Sequence, residues 1–168
     1  MIFNVKGKSV DVRFNFQTVF RINEKLGSKN ENGEPQNDGV GLLFARLQSD
    51  DDSAVLDLIE LSAPSNLKLT RNDAVDALAS YFDLIIQNTG VDEETAYRNL
   101  FDQLTEEAIA SGFFAKKLRD YKETAEKALE IVQEKKQTDE TKAQKKALTE
   151  LVTQIGDALS SPKGQESE

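Results

Sequence analysis

The 168 residues include no histidine and no cysteine. Without cysteine there are no disulfides, zinc–thiolate sites or thiol nucleophiles. Without histidine there is no imidazole base, and a conventional serine triad cannot be assembled. Long apolar runs are missing too. The longest, Leu42-Leu43-Phe44-Ala45, falls far short of the roughly 20 residues a membrane span requires. Met1-Ile2-Phe3-Asn4-Val5 lacks the basic stretch and apolar core of a secretory signal. Positive charge is scarce: 21 Lys and Arg stand against 30 Asp and Glu, a formal net charge of -9. That balance argues against duplex DNA or an anionic membrane as the main partner. The expectation is a soluble cytoplasmic protein. At this length it is about one domain's worth of chain, enough to bury about two-thirds of the surface its unfolded form exposes.

Charge is unevenly spread. Residues 1–114 carry 10 basic and 19 acidic side chains, whereas residues 115–168 carry 11 of each. Every Phe lies at or before Phe114, and Tyr121 is the one aromatic beyond it. These shifts divide the chain into an acidic module over 1–114, a charge-mixed helical extension over 115–159 and a polar tail over 160–168, expected to be disordered.

The module opens on a hairpin. Val10, Val12 and Phe14 alternate with Asp11 and Arg13, the period of a half-buried strand. Ile2 to Val5 supplies the partner and Lys6-Gly7-Lys8 the turn. A lone hairpin is marginal in water, so its apolar face needs a helix to cover it, and the next one is the obvious candidate. There Phe16, Val19, Phe20, Asn23 and Leu26 fall at helical spacing, with Gly27 placed as a C′ glycine. Residues 28–39 form a polar loop with no apolar anchor, expected to be mobile. A short helix from about Gly41 to Gln48 follows. Asp50-Asp51-Asp52-Ser53 then caps the run Val55, Leu56, Leu58, Ile59 and Leu61, which Pro64 ends.

Thr70 with Asp73 has the spacing of a capping box ahead of Ala74, Leu78, Phe82 and Ile85, flanked by Val75 and Ile86, in a helix running to Gly90. Asp92 caps the next helix, whose Ala96, Leu100, Phe101, Leu104, Ala108 and Ile109 face inward. In the extension, Leu118, Tyr121, Ala125, Ala128 and Val132 make one short heptad-like seam, and Leu148, Leu151, Val152, Ile155 and Leu159 make another. The extension is either one helix of roughly 65 Å or a helical hairpin turning near Thr138-Asp139. The hairpin is preferred because it brings two sparse seams together. The fold class is α+β, predominantly α-helical, with an N-terminal β-hairpin packed on a helical module.

Few residue groups offer chemistry. Asp50, Asp51 and Asp52 could hold a hard cation, but the alternating ligands and central Gly of a calcium loop are absent, and helix capping accounts for them better. Asp92-Glu93-Glu94 and Glu106-Glu107 are paired carboxylates without the apolar flanks that would raise one pKa. Gly39-Val40-Gly41 lacks the Lys-Ser/Thr and preceding strand of a phosphate loop. Lys135-Lys136 and Lys145-Lys146 alternate with acids and have no interleaved aromatics, as on a solvated helix face. No catalytic residue, cofactor or metal is expected. Phe113-Phe114 is harder to dismiss. At least one of the two should be core, yet one or both could line an apolar groove for a partner helix, with Phe101, Leu104 and Leu118 as neighbours.

The order of these features resembles the tail assembly chaperones of long, non-contractile-tailed phages (siphophages) of Gram-positive bacteria. The likeness covers about residues 1–114. It runs from the Lys6-Gly7-Lys8 turn and the helix closing in Lys25-Leu26-Gly27 to the Gly41–Leu47 helix, the Asp51–Leu61 helix and the Thr70-Arg71-Asn72-Asp73-Ala74-Val75 helix start. The extension from Ala115 departs from the shorter members. The resemblance implies a non-enzymatic late protein of the host cytoplasm that coats the tape measure protein, keeps it soluble, helps recruit tail tube subunits and is absent from the mature virion. Self-association along the client would fit. In this family a ribosomal frameshift often appends a second segment to some copies. The competing reading is a structural head–tail connector or scaffold protein, retained in or transiently bound to the particle. A third, a carboxylate enzyme with a divalent metal, has little motif support.

Overall fold

The computed structural model describes residues 1–135 and 138–161. Strands β1 (Ile2–Val5) and β2 (Lys8–Asp11) pair antiparallel, with Val5 opposite Lys8 and Phe3 opposite Val10. The two-residue connection Lys6-Gly7 has φ of 52° and 72°. Positive φ at both positions is what a tight primed hairpin turn demands, and Gly7 supplies the second without strain. Seven helices follow among the described residues: α1 (Phe16–Leu26), α2 (Gly39–Gln48), α3 (Asp52–Ser62), α4 (Arg71–Thr89), α5 (Glu93–Ala110), α6 (Gly112–Glu134) and α7 (Asp139–Ser160).

The caps sit where the sequence places them. Asp51 accepts from the Ser53 N–H and Asp92 from the Thr95 N–H, while Thr70 and Asp73 form the reciprocal capping box. Each satisfies backbone donors that a helix start leaves unpaired. Between α5 and α6 a single residue, Ser111, ends one helix and begins the next. Its hydroxyl also donates to the Phe14 carbonyl, tying the break to the chain that leaves the hairpin.

The hairpin's apolar face is Phe3, Val5 and Val10, continued by Val12 and Phe14, all buried. Its main support is α4, with α3 beneath β2, rather than the α1 that follows it in sequence. Phe3 lies against Tyr81 at 5.0 Å between ring centroids, and Phe14 meets Phe114 edge-on at 5.1 Å. A fully buried Phe of this kind contributes about 2–3 kcal/mol by removal from water.

In α1 the inward face is Thr18, Val19, Ile22 and Asn23. Phe16 and Phe20, at core-like spacing in the sequence, are instead 65% and 60% exposed. The face is set by α2, which packs on α1 and is capped from it: the Val40 N–H donates to Asn23 Oδ1 at 3.1 Å. Gly27 does close α1, but with φ −62° rather than in the left-handed form. Its requirement is space, since a Cβ there would stand 2.4 Å from the Asn23 carbonyl oxygen. The Gly39-Val40-Gly41 pair is explained the same way. A Cβ at Gly39 would lie 2.5 Å from the Ile22 carbonyl oxygen, and one at Gly41 would lie 2.1 Å from the Tyr121 ring.

The polar loop before α2 is anchored without apolar side chains. Asn30 Oδ1 accepts from the N–H groups of Asn32 and Glu34, Gln36 N–H donates to Ser28 O, and Asp38 accepts from both the N–H and the hydroxyl of Ser28.

α6 and α7 form the helical hairpin, with Thr138 capping α7. Leu118, Ala125 and Val132 on α6 are buried, as is Ile155 on α7. Leu151, Ala158 and Leu159 pack on the same core, so α7 closes over the module instead of standing apart from it. Of the tail expected over 160–168, Ser160 ends α7, Ser161 follows it, and residues 162–168 lie outside the described residues.

Candidate partner-binding surface

Three arginines tie the helices of the module together. Arg46 bridges Asp51 and Asp57 at 2.7 Å each, while Arg71 joins Asp57, Glu60 at 3.0 Å and the Ser53 carbonyl. Arg21 donates to the carbonyls of Leu61 and Ala63 at 2.8 and 3.1 Å. Arg21, Asp57 and Glu60 line an open groove of about 630 Å³ between α1 and residues 61–69, and there they are tied to the Leu61 and Ala63 carbonyls, Arg46 and Arg71. Lys6 pairs with Asp73 at 2.8 Å.

The carboxylates with shifted pKa values are moved down. The Arg46 guanidinium holds Asp51 below the usual range. The Lys6 ammonium, with the Thr70 N–H, brings Asp73 to about 2. The Thr95 N–H lowers Asp92. A general acid requires the opposite shift. Among the described residues no group of three His, Cys, Asp or Glu is placed to hold a metal ion. No described helix is long and apolar enough to cross a membrane.

The five contact residues taken from the sequence separate by depth. Phe114 and Leu118 on α6, and Phe101 and Leu104 on α5, are all buried. Phe101 rests on Tyr97 at 5.0 Å between centroids. Phe113 is half-buried, and its ring meets that of Phe16 at 5.0 Å. As folded, the five form no common open groove. What reaches the surface is a different aromatic group: Phe113, Phe16 and, one turn on along α1, Phe20. The sequence pattern concealed Phe16 and Phe20, because i, i+4 apolar spacing looks the same on an inward and an outward face. The usable signal was the competing stripe Val19, Ile22 and Asn23 on the same helix.

A second apolar depression of about 330 Å³ lies between α4 and α5, lined by Ala79, Phe82, Asp83, Ile86, Glu93 and Tyr97. The Phe82 and Tyr97 rings stack at 6.0 Å with planes 15° apart. The Tyr97 hydroxyl donates to the Asp50 carbonyl at 2.7 Å. Burial, aided by the carboxylates of Asp52, Asp50 and Asp51, pushes its pKa up to about 12.

The chain thus presents exposed aromatic surface on a helical scaffold in which Arg21, Arg46 and Arg71 tie α1, α2, α3 and α4 together. The family model described as phage tail assembly chaperone protein, TAC, matches residues 2–123, from β1 into the middle of α6. No curated protein and no solved structure matches the chain significantly. The family match takes in the hairpin, the first five helices and the half of α6 carrying Phe113, Phe114 and Leu118, and on that extent the chain belongs to the phage tail assembly chaperone family.

Proposed function

We propose that the protein is a non-enzymatic chaperone that binds the tape measure protein in the host cytoplasm, keeps its apolar helices soluble, helps recruit tail tube subunits, and is released before the virion is complete. The observation that carries this reading is the pair of exposed rings Phe16 and Phe20, with the half-buried Phe113 against Phe16. Phenylalanine contributes most when desolvated, so rings left at the surface favour a partner that covers them. In this reading Phe113 touches the client directly, while Phe101, Leu104, Phe114 and Leu118 hold α5 and α6 in place beneath it. The net charge of -9 keeps coated client dispersed by repulsion. Self-association along an extended client adds avidity to weak single contacts.

The test is capture of tape measure protein by the Phe16→Ser, Phe20→Ser double variant. Both rings are exposed, so melting should stay within a few degrees of wild type while capture is lost. Unchanged capture contradicts the aromatic contact. Mass spectrometry of purified virions separates this reading from a connector or scaffold retained in the particle. A released chaperone is absent, whereas a connector appears in fixed stoichiometry.

A further inference from the structure

The depression between α4 and α5 differs in character from the aromatic group on α1 and α6. Its floor is apolar: Ala79, Ile86 and the stacked Phe82 and Tyr97 rings. Its rim is acidic. Asp83 and Glu93 are exposed, and neither makes an ion pair among the described residues. The local sequence is acidic as well, although Lys6 pairs with Asp73 and the N-terminal ammonium with Glu107. Between Asn72 and Ala110 there are nine carboxylates and a single cation, Arg98. That cation is paired with Glu94 at 3.0 Å. Along α4 the apolar line extends to Val75, 45% exposed and one turn before Ala79.

An apolar floor between two helices accepts side chains spaced one turn apart on a third helix. Uncompensated carboxylates at its edge select the charge of whatever flanks those side chains. A helix bordered by Asp or Glu is repelled, and one bordered by Lys or Arg is drawn in. We propose that this groove binds an amphipathic helix whose apolar stripe is flanked by Lys and Arg, presented by the client. Only the source of that helix rests on the proposed function. The complementarity rests on Phe82, Ile86 and Tyr97 with Asp83 and Glu93.

The probe is a fluorescein-labelled helical peptide of Leu, Ala and Lys, about 18 residues and roughly 27 Å long, with Leu along one face, compared with its analogue carrying Glu for Lys. The Lys peptide binds, the binding weakens with added NaCl, and the Glu analogue does not bind. Replacing Asp83→Lys together with Glu93→Lys lowers affinity at least about tenfold. The equal charge change Glu123→Lys with Glu130→Lys on α6 lowers it less than about twofold, the part owed to net charge alone. Should Lys at the start of α5 unsettle the fold, Asp83→Asn with Glu93→Gln gives the same comparison in milder form.

Equal binding of the two peptides, or equal losses from the two variant pairs, overturns the proposal. Self-association that the Asp83 and Glu93 substitutions abolish, with peptide binding unchanged, also overturns it, since the groove then belongs to a second copy. Co-expression with the tape measure protein separates the two levels. If the groove variant still solubilises it and the Phe16, Phe20 variant does not, the groove proposal fails and the chaperone reading stands. If wild type fails to solubilise it, that reading fails, and the peptide titration alone decides the chemistry of the groove.

Discussion

The two halves of α6 are one uninterrupted helix in two different surroundings. Its first half carries Phe114, Ala115 and Leu118 into a core shared with the hairpin, α1, α2 and α5, and Tyr121 packs over Gly41. Its second half is supported by α7, through the smaller Ala125 and Val132, while Ile131 is 58% exposed. Composition shifts at residue 114, but packing shifts near Tyr121, and the family match ends at residue 123. A helix can therefore cross a compositional boundary unbroken, because what fixes each of its turns is the number of elements around it.

The sharpest way to break this comparison is to shorten one buried side chain in each half. Leu118→Ala should destabilise by about 2–5 kcal/mol and Val132→Ala by about 1–2 kcal/mol, both read by denaturant titration. Equal losses would mean that the extension is packed as tightly as the module. Next in size is Gly41→Ala, whose methyl would stand 2.1 Å from the Tyr121 ring. Overpacking of this kind costs about 1–3 kcal/mol. Adding Tyr121→Ala should recover part of it in a double-mutant cycle, and a purely additive result would show that α2 and α6 are not in contact there.

Smaller effects come from titration, and the large shifts lie in the module. Asp73 falls from 3.8 to about 2 on folding. The stability this brings is complete above about pH 4 and is lost as pH falls toward about 2. Asp73→Asn should flatten that part of the acid unfolding profile; an unchanged slope would remove Lys6 and the capping box from the account. Tyr97 rises from 10.0 to about 12. Its contribution is complete below pH 10 and is lost as pH rises through about 12, so Tyr97→Phe should flatten the alkaline side. The extension offers no counterpart of that size. The ion pairs Lys116–Asp120, Lys142–Asp139 and Lys146–Glu150 are exposed and local, and such pairs contribute well under 1 kcal/mol each.

What was legible in the sequence was local. Thr70 with Asp73, Asp51 and Asp92 announce helix starts because a cap needs only its own next three residues. The inward stripe of α5, from Ala96 to Ile109, is complete in the sequence because one strong apolar face has no rival on that helix. What was not legible depended on contacts distant in sequence. Phe16 and Phe20 compete with Val19 and Ile22 for the inward face of α1, and α2 decides the outcome through Asn23 and Val40. Gly27, Gly39 and Gly41 look like turn or phosphate-loop residues until the atoms across from them are known. Phe113 and Phe114 are adjacent yet differ in depth, because Phe14 from the far end of the module covers only Phe114. The acidic rim of the α4–α5 groove was visible as charge in the sequence, but not as the border of an apolar floor.

The most direct test of the central claim is co-expression with the tape measure protein, followed by its soluble fraction and the mass of the complex by size-exclusion chromatography. The account expects the tape measure protein to become soluble and to co-elute with several copies of this chain, and to return to the pellet when Phe16 and Phe20 are replaced by Ser. A tape measure protein that stays insoluble while this chain elutes alone would contradict it.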